Sequence, residues 1–208
     1  MLASYATWMA LLAVAYFTVP GAESTAWGLL GLSSVLAIVT GMVINRPARR
    51  LPWLLLAGAN ACFITGQLSF AVLTQTMRVN VPFYTFADLL YLSTYPLYAA
   101  GIYIFIRWRT GGGDRRSLID ALTLTAGLAM LTWIYLIIPY ANSPSLSWLQ
   151  KCFAMAYPLG DLLVLSMLAR LLGQGSNRVW SVQLLTIGTT GMLVSDVSYS
   201  LKIGRAHV

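Results

Sequence analysis

The chain is organised as seven apolar runs separated by short polar joins. Mostly apolar stretches cover roughly residues 3–19, 25–44, 53–74, 86–106, 118–138, 149–172 and 182–201. A helix that crosses a bilayer needs about 20 mostly apolar residues, within a range of about 17–25, and each run meets that length. The joins carry turn-forming residues: Pro20-Gly21, Arg46-Pro47, Leu51-Pro52, Gly111-Gly112-Gly113, Ser143-Pro144 and Gly173-Gln174-Gly175. The pattern predicts an all-α integral membrane protein, seven transmembrane helices in one bundle over residues 1–201. The first run has neither a basic leading region nor a small-residue cleavage site, so it reads as a retained helix rather than a signal peptide.

Composition agrees with this pattern. Hydrophobic residues make up 58% of the 208, charged residues 9%, and mean hydropathy is +0.73. Soluble domains carry about 25% charged residues. A soluble globule, a disordered chain and a disulfide scaffold are therefore excluded. Cys62 and Cys152 lie in apolar stretches without CxxC spacing and read as small buried hydrophobes.

The net charge of +7 marks topology rather than a nucleic-acid partner. Arg46, Arg49, Arg50, Arg107, Arg109, Arg115, Arg116, Arg170 and Arg178 fall at one set of alternate helix ends, and only Arg78 and Lys151 at the other. Basic residues stay on the cytoplasmic side, so nine against two places the amino terminus in the cytoplasm. Trp53, Trp108, Trp148 and Trp180 stand at span edges, as an interfacial aromatic belt requires.

The last segment, residues 202–208, reads as a scar rather than native sequence. Ile203-Gly204-Arg205-Ala206-His207-Val208 matches the translation of a short sequencing adapter in one frame, and Lys202 fits the codon that the adapter would complete. On this reading the natural chain continues past Leu201, the sole histidine is not native, and eleven basic and six acidic side chains remain.

Chemistry concentrates on acids inside the runs. Glu23 and Asp114 are loop residues, whereas Asp88, Asp120, Asp161 and Asp196 fall within predicted spans. An aspartate at the bilayer centre costs about 2.5–3.5 kcal/mol on insertion scales and calls for an explanation. Thr85-Phe86-Ala87-Asp88 and Ser117-Leu118-Ile119-Asp120 match a capping box, in which the acid serves a helix start. Asp161 follows Tyr157-Pro158-Leu159-Gly160; Pro158 withholds a donor from the carbonyl one turn earlier and opens the helix beside the acid. Asp196 sits among Ser195, Ser198 and Tyr199. At 1.5 Å per residue, Asp196, Gln67 and Asp88 lie about 8, 10 and 4 Å from the outer surface. They are expected to share a polar layer with Tyr91, Tyr95 and Tyr199. Two readings stand open for Asp161 and Asp196: a ligand- or proton-sensing site, or hydrogen-bonded glue between helices.

Other chemistries are excluded by what is missing. Without a native histidine no Ser-His-Asp or Cys-His set forms, and neither a histidine zinc site nor a bis-histidine haem is available. No lysine inside a run offers a Schiff base. No enzyme activity, metal or cofactor is expected of this chain. Gly58, Gly66, Gly101, Gly127, Gly160, Gly188 and Gly191 suit close helix contact and build no phosphate loop. Asp88-Leu89-Leu90-Tyr91-Leu92-Ser93 and Asp161-Leu162-Leu163-Val164-Leu165-Ser166 resemble one another weakly, as an internal repeat would.

Four stretches resemble the multi-span amino-terminal region of bacterial cyclic-di-GMP signalling proteins that end in GGDEF and EAL domains. They are Phe86 to Leu92 with Tyr95-Pro96, Arg116 to Ala121, Ala156 to Leu163, and Ser195 to Tyr199. The resemblance implies a sensor or anchor region in the bacterial inner membrane. A catalytic domain would lie downstream, and a small ligand and a homodimer are the implied partners besides lipid. No GGDEF or EAL sequence is present, so no catalytic residue carries over. The alternative is a small transporter or channel-like protein with Asp161 and Asp196 on its path.

Overall fold

The structure, a computed structural model, describes residues 2–21, 23–76, 86–110, 115–142, 144, 146–173 and 183–192. All regular structure among them is helical: α1 (Leu2–Thr18), α2 (Glu23–Asn45), α3 (Leu51–Ala71), α4 (Phe86–Thr110), α5 (Arg115–Thr132), α6 (Ile138–Asn142) and α7 (Trp148–Gly173). A helical stretch over residues 183–192, here α8, follows. Five helices are long and apolar enough to cross a membrane: Thr25–Asn45, Leu51–Thr74, Phe86–Trp108, Leu118–Asn142 and Trp148–Gly173. These match the second to sixth predicted runs. The first run forms a shorter apolar helix, Ser4–Thr18, and most of the seventh lies outside the described residues, as do residues 202–208.

The helices divide into two compact units, residues 1–94 and 95–208. In the first unit, neighbouring helices pair antiparallel through small residues. Ser33 Oγ donates to Met9 Sδ at 3.3 Å, and Tyr16 meets Trp27 at a tilt with centroids 5.7 Å apart, so α1 and α2 run in opposite senses. Gly28 packs under Leu68 and Gly31 under Ile64, which sets α2 against α3. On the next pair Gly66 faces Tyr91 and the Ala87 carbonyl, while Thr94 Oγ1 reaches the Ala59 carbonyl at 3.4 Å. Seven residues back along α3 thus matches seven forward along α4. Lipid tails are as apolar as leucine, so close backbone approach and interhelical hydrogen bonds hold such helices together. Ala59, Ala87 and Thr94 are fully buried at this crossing.

In the second unit α5 packs along α7. The α4 residues of this unit run parallel to α7: Tyr95 meets Gly160 and Ile106 clusters with Leu171, pairs separated by the same 65 residues. Ile102, Ile106 and Leu171 form the core cluster, with Met167 and Leu185 of α8 against it. The resembling segments at Asp88 and Asp161 are 73 residues apart, so the weak repeat is not the packing register. Parallel helices place Arg107 and Arg170 toward like ends, as the basic-residue count expects.

Helix ends and irregularities have local causes. Pro139 cannot donate to the Tyr135 carbonyl, and the turn before it widens into a π-helix, Trp133–Ile137, in which the Ile138 N–H reaches the Trp133 carbonyl. A second π-helix, Val72–Thr76, ends α3. Ser147 and Gln150 form a reciprocal capping box on α7: Gln150 Oε1 accepts from the Ser147 N–H at 2.8 Å, and Ser147 Oγ from the Gln150 N–H at 3.4 Å. Lys151 Nζ donates to the Ala141 carbonyl at 2.7 Å, a cation on the carboxyl end of α6.

Large hydrophobics cover the exposed surface, and several of the buried positions are alanine. Phe17, Trp148, Met130, Tyr135 and Val43 are among many exposed large hydrophobics, while Ala59, Ala87, Ala121 and Ala154 are buried. Hydroxyls that face outward are satisfied within their own helix: Thr65 Oγ1 donates to the Ala61 carbonyl and Thr123 Oγ1 to the Ile119 carbonyl. That removes most of the cost of carrying them in lipid. Trp53 and Trp148 lie in the first turns of α3 and α7, and Trp108 at the last residue of its span. Two expectations need correction. A methyl on Gly58, Gly127, Gly188 or Gly191 would meet nothing within 4 Å among the described residues, so these glycines do not serve a close contact there. And α5 begins at Arg115, which puts Asp120 in its second turn, past the first-turn position a cap requires.

Candidate functional site

The predicted polar residues fall into two groups. The first lies on the α3–α4 crossing. Gly66 has no side chain, and a Cβ there would stand 3.0 and 3.1 Å from Tyr91 Cε1 and Cδ1 and 3.3 Å from the Ala87 carbonyl oxygen. Tyr91 also meets Phe63 edge-on, with centroids 5.6 Å apart. This approach brings Gln67, next to Gly66, and Asp88, next to Ala87, to one level of the first unit. Both are half-buried. Asp88 occupies the first turn of α4, as a cap requires, while its expected partner Thr85 lies outside the described residues.

The second group is tighter. A Cβ on Gly160 would stand 2.5, 2.6 and 2.8 Å from Tyr95 Cγ, Cδ2 and Cδ1. Glycine is the residue that lets the Tyr95 ring lie against the α7 backbone. Tyr95 is 5% exposed, and Tyr157 meets it edge-on with centroids 6.4 Å apart. Between the two α7 contacts sits Pro158, buried within the helix, which leaves the Ala154 carbonyl without its usual N–H donor. Asp161 follows at once. It is half-buried and engaged within the fold, and its Oδ1 is shielded from solvent and accepts no hydrogen bond. Tyr95, Tyr157 and Gly160 thus meet at one crossing, with Pro158 and Asp161 adjoining it along α7.

Asp196 and Tyr199 lie outside the described residues, and with them the expected outward layer that joined Asp196 to Gln67 and Asp88. Among the described residues no group of three His, Cys, Asp or Glu side chains is arranged to hold a metal ion. Cys62 and Cys152 are free thiols, half-buried.

Sequence reasoning missed Thr94. Its side chain is fully buried, and Oγ1 is shared between the Leu90 carbonyl of its own helix at 3.2 Å and the Ala59 carbonyl of α3 at 3.4 Å. It missed Gly31 too, whose missing side chain makes room for Ile64. Nothing in the local sequence separates either from the other threonines and glycines. The capping box Ser147-Leu149-Gln150 region was in principle legible, because Ser-x-x-Gln serves as well as Ser-x-x-Asp.

No family model matches the chain, and no curated protein or solved structure matches it.

Proposed function

We propose that the chain is the membrane-embedded input or anchor region of a bacterial signalling protein of the cyclic-di-GMP type, with seven spans and a cytoplasmic amino terminus. The observation that carries this reading is the Tyr95 ring lying against Gly160, beside Pro158 and Asp161. Two of the stretches that resemble the signalling family meet at this contact. A proline-interrupted helix, a buried tyrosine pair and an acid at one crossing supply what a sensory element needs: a polar group whose occupancy or protonation changes how two parallel helices pack. The same parts suit a transport path less well, because Tyr95 fills the crossing at Gly160.

Asparagine at position 161 tests the reading. Asp161→Asn keeps size and hydrogen bonding and removes the charge. In the full-length protein it is expected to change cyclic-di-GMP level several-fold while membrane abundance stays near normal. An output that matches wild type across pH and candidate ligands would leave Asp161 as interhelical glue.

Topology has its own test. In a chain with Cys62→Ser and Cys152→Ser, an impermeant thiol reagent applied to intact cells should label Lys151→Cys and spare Arg49→Cys and Arg115→Cys. Lysis should expose the latter two. Labelling of Arg49→Cys in intact cells would reverse the orientation.

A further inference from the structure

The turn between α2 and α3 carries Arg46, Arg49 and Arg50 within five residues. Arg46 holds a φ of +41°, left-handed backbone that a non-glycine residue adopts only at a cost. With the backbone so turned, Arg46 and Arg50 line one cavity of about 300 Å3 together with Met42 and Val43 of α2. Arg50 is also the N-cap residue of α3, and its side chain makes no capping hydrogen bond to the first turn. The positive dipole end of α3 therefore adds to the two guanidinium groups at the same place.

Negative charge in the first unit is far away. The sequence has no acid between Glu23 and Asp88. Glu23 opens the opposite end of α2, and Asp88 adjoins Ala87, which packs on Gly66 some fifteen residues along α3, about 22 Å at helical rise. The surroundings of the cavity are apolar instead: Val43, Ile44, Leu51 and Leu54 are exposed large side chains on either side of the turn.

We propose that this cavity binds an anionic phospholipid, with the headgroup phosphate held by Arg46 and Arg50 and the acyl chains laid along Val43, Ile44 and Leu54. Guanidinium forks match phosphate oxygens in pairs, and basic pockets at the ends of membrane helices take acidic headgroups in this way. Met42 and Val43 in the lining favour an amphiphile over a free anion. The site needs only that α2 and α3 cross a membrane. It stands apart from the signalling reading and from the direction of insertion.

Lipid retention by the full chain, purified in mild detergent and measured by native mass spectrometry, tests the proposal. Wild type should hold phosphatidylglycerol in preference to phosphatidylcholine. Each arginine removed should weaken that preference about fivefold, so that Arg46→Gln/Arg50→Gln abolishes it. Arg46→Lys/Arg50→Lys should keep part of it, because charge remains and the paired hydrogen bonds are lost. Unchanged phosphatidylcholine retention shows that the glutamine variant is folded. A preference that survives the glutamine pair, or that millimolar inorganic phosphate competes away, would overturn the assignment.

Discussion

Gly160→Val is expected to lower the melting temperature of the purified chain by several degrees, more than valine at any of the open glycine positions. The atoms in the way are Tyr95 Cγ, Cδ1 and Cδ2, at 2.5 to 2.8 Å from where a Cβ would stand. These are the root of the ring, so a flip about χ2 leaves Cγ in place, and a change of χ1 would need room that a buried ring lacks. Tyr95 itself is buried and boxed in by Tyr157. Overpacking of this kind costs about 1–3 kcal/mol. For a chain of this length that corresponds to roughly 2–4 °C per kcal/mol. Valine at Gly127, where nothing stands within 4 Å, is the matched control and should melt near wild type. Removing the obstacle should restore part of the loss, so Tyr95→Ala in the Gly160→Val background is expected to couple favourably by about 0.5–3 kcal/mol. A Gly160→Val chain that melts with wild type, or a pair of changes that simply add, would show that Tyr95 does not rest on Gly160.

Five of the predicted spans were legible because the bilayer length rule acts on composition alone. A run such as Thr25–Asn45 has to be helical and lipid-sized wherever its neighbours lie. The packing register was not legible. Gly66 and Gly160 have the same local look as Gly58 and Gly127, and what separates them is whether another helix crosses at that level. The same holds for Thr94, a hydroxyl that bridges two helices where others, such as Thr65 and Thr123, fold back onto carbonyls of their own helix. The start of α5 was misplaced by three residues because Ser117 and Asp120 copy a capping box, while Arg115 and Arg116 before them are good helix formers and continue the helix backward.

The candidate site was half legible. Pro158 and Asp161 announce themselves, since a proline and an acid inside an apolar run each cost free energy in lipid. The contact of Tyr95 with Gly160 was not foreseen, because distance from the membrane surface, the guide used, says nothing of which helices touch. The parallel pairing of α4 with α7 is a tertiary fact. The alternation of spans gives their parallel sense, but not that they touch or at which residues.

The second large effect is expected at Ile102, where the interior of the second unit is best sealed. Ile102→Ala should cost about 2–4 kcal/mol, because Ile102, Ile106 and Leu171 are all within 1% of full burial and cannot collapse into the space left behind. The loss is one of contacts rather than of water exclusion, since in a bilayer the unfolded reference also keeps isoleucine away from water. That distinction makes the comparison with Leu122 informative. Leu122 lies on α5 and is exposed at the outer surface, so Leu122→Ala should change stability by no more than a few tenths of a kcal/mol in lipid. Ile106→Ala should behave like Ile102→Ala, and the two should combine non-additively because they open one shared cavity. Unfolding of the three single variants and of the Ile102→Ala/Ile106→Ala pair by denaturant in bilayer discs measures all of this. Equal losses from Ile102→Ala and Leu122→Ala would mean that apolarity alone, and not this packed cluster, holds α4 to α7.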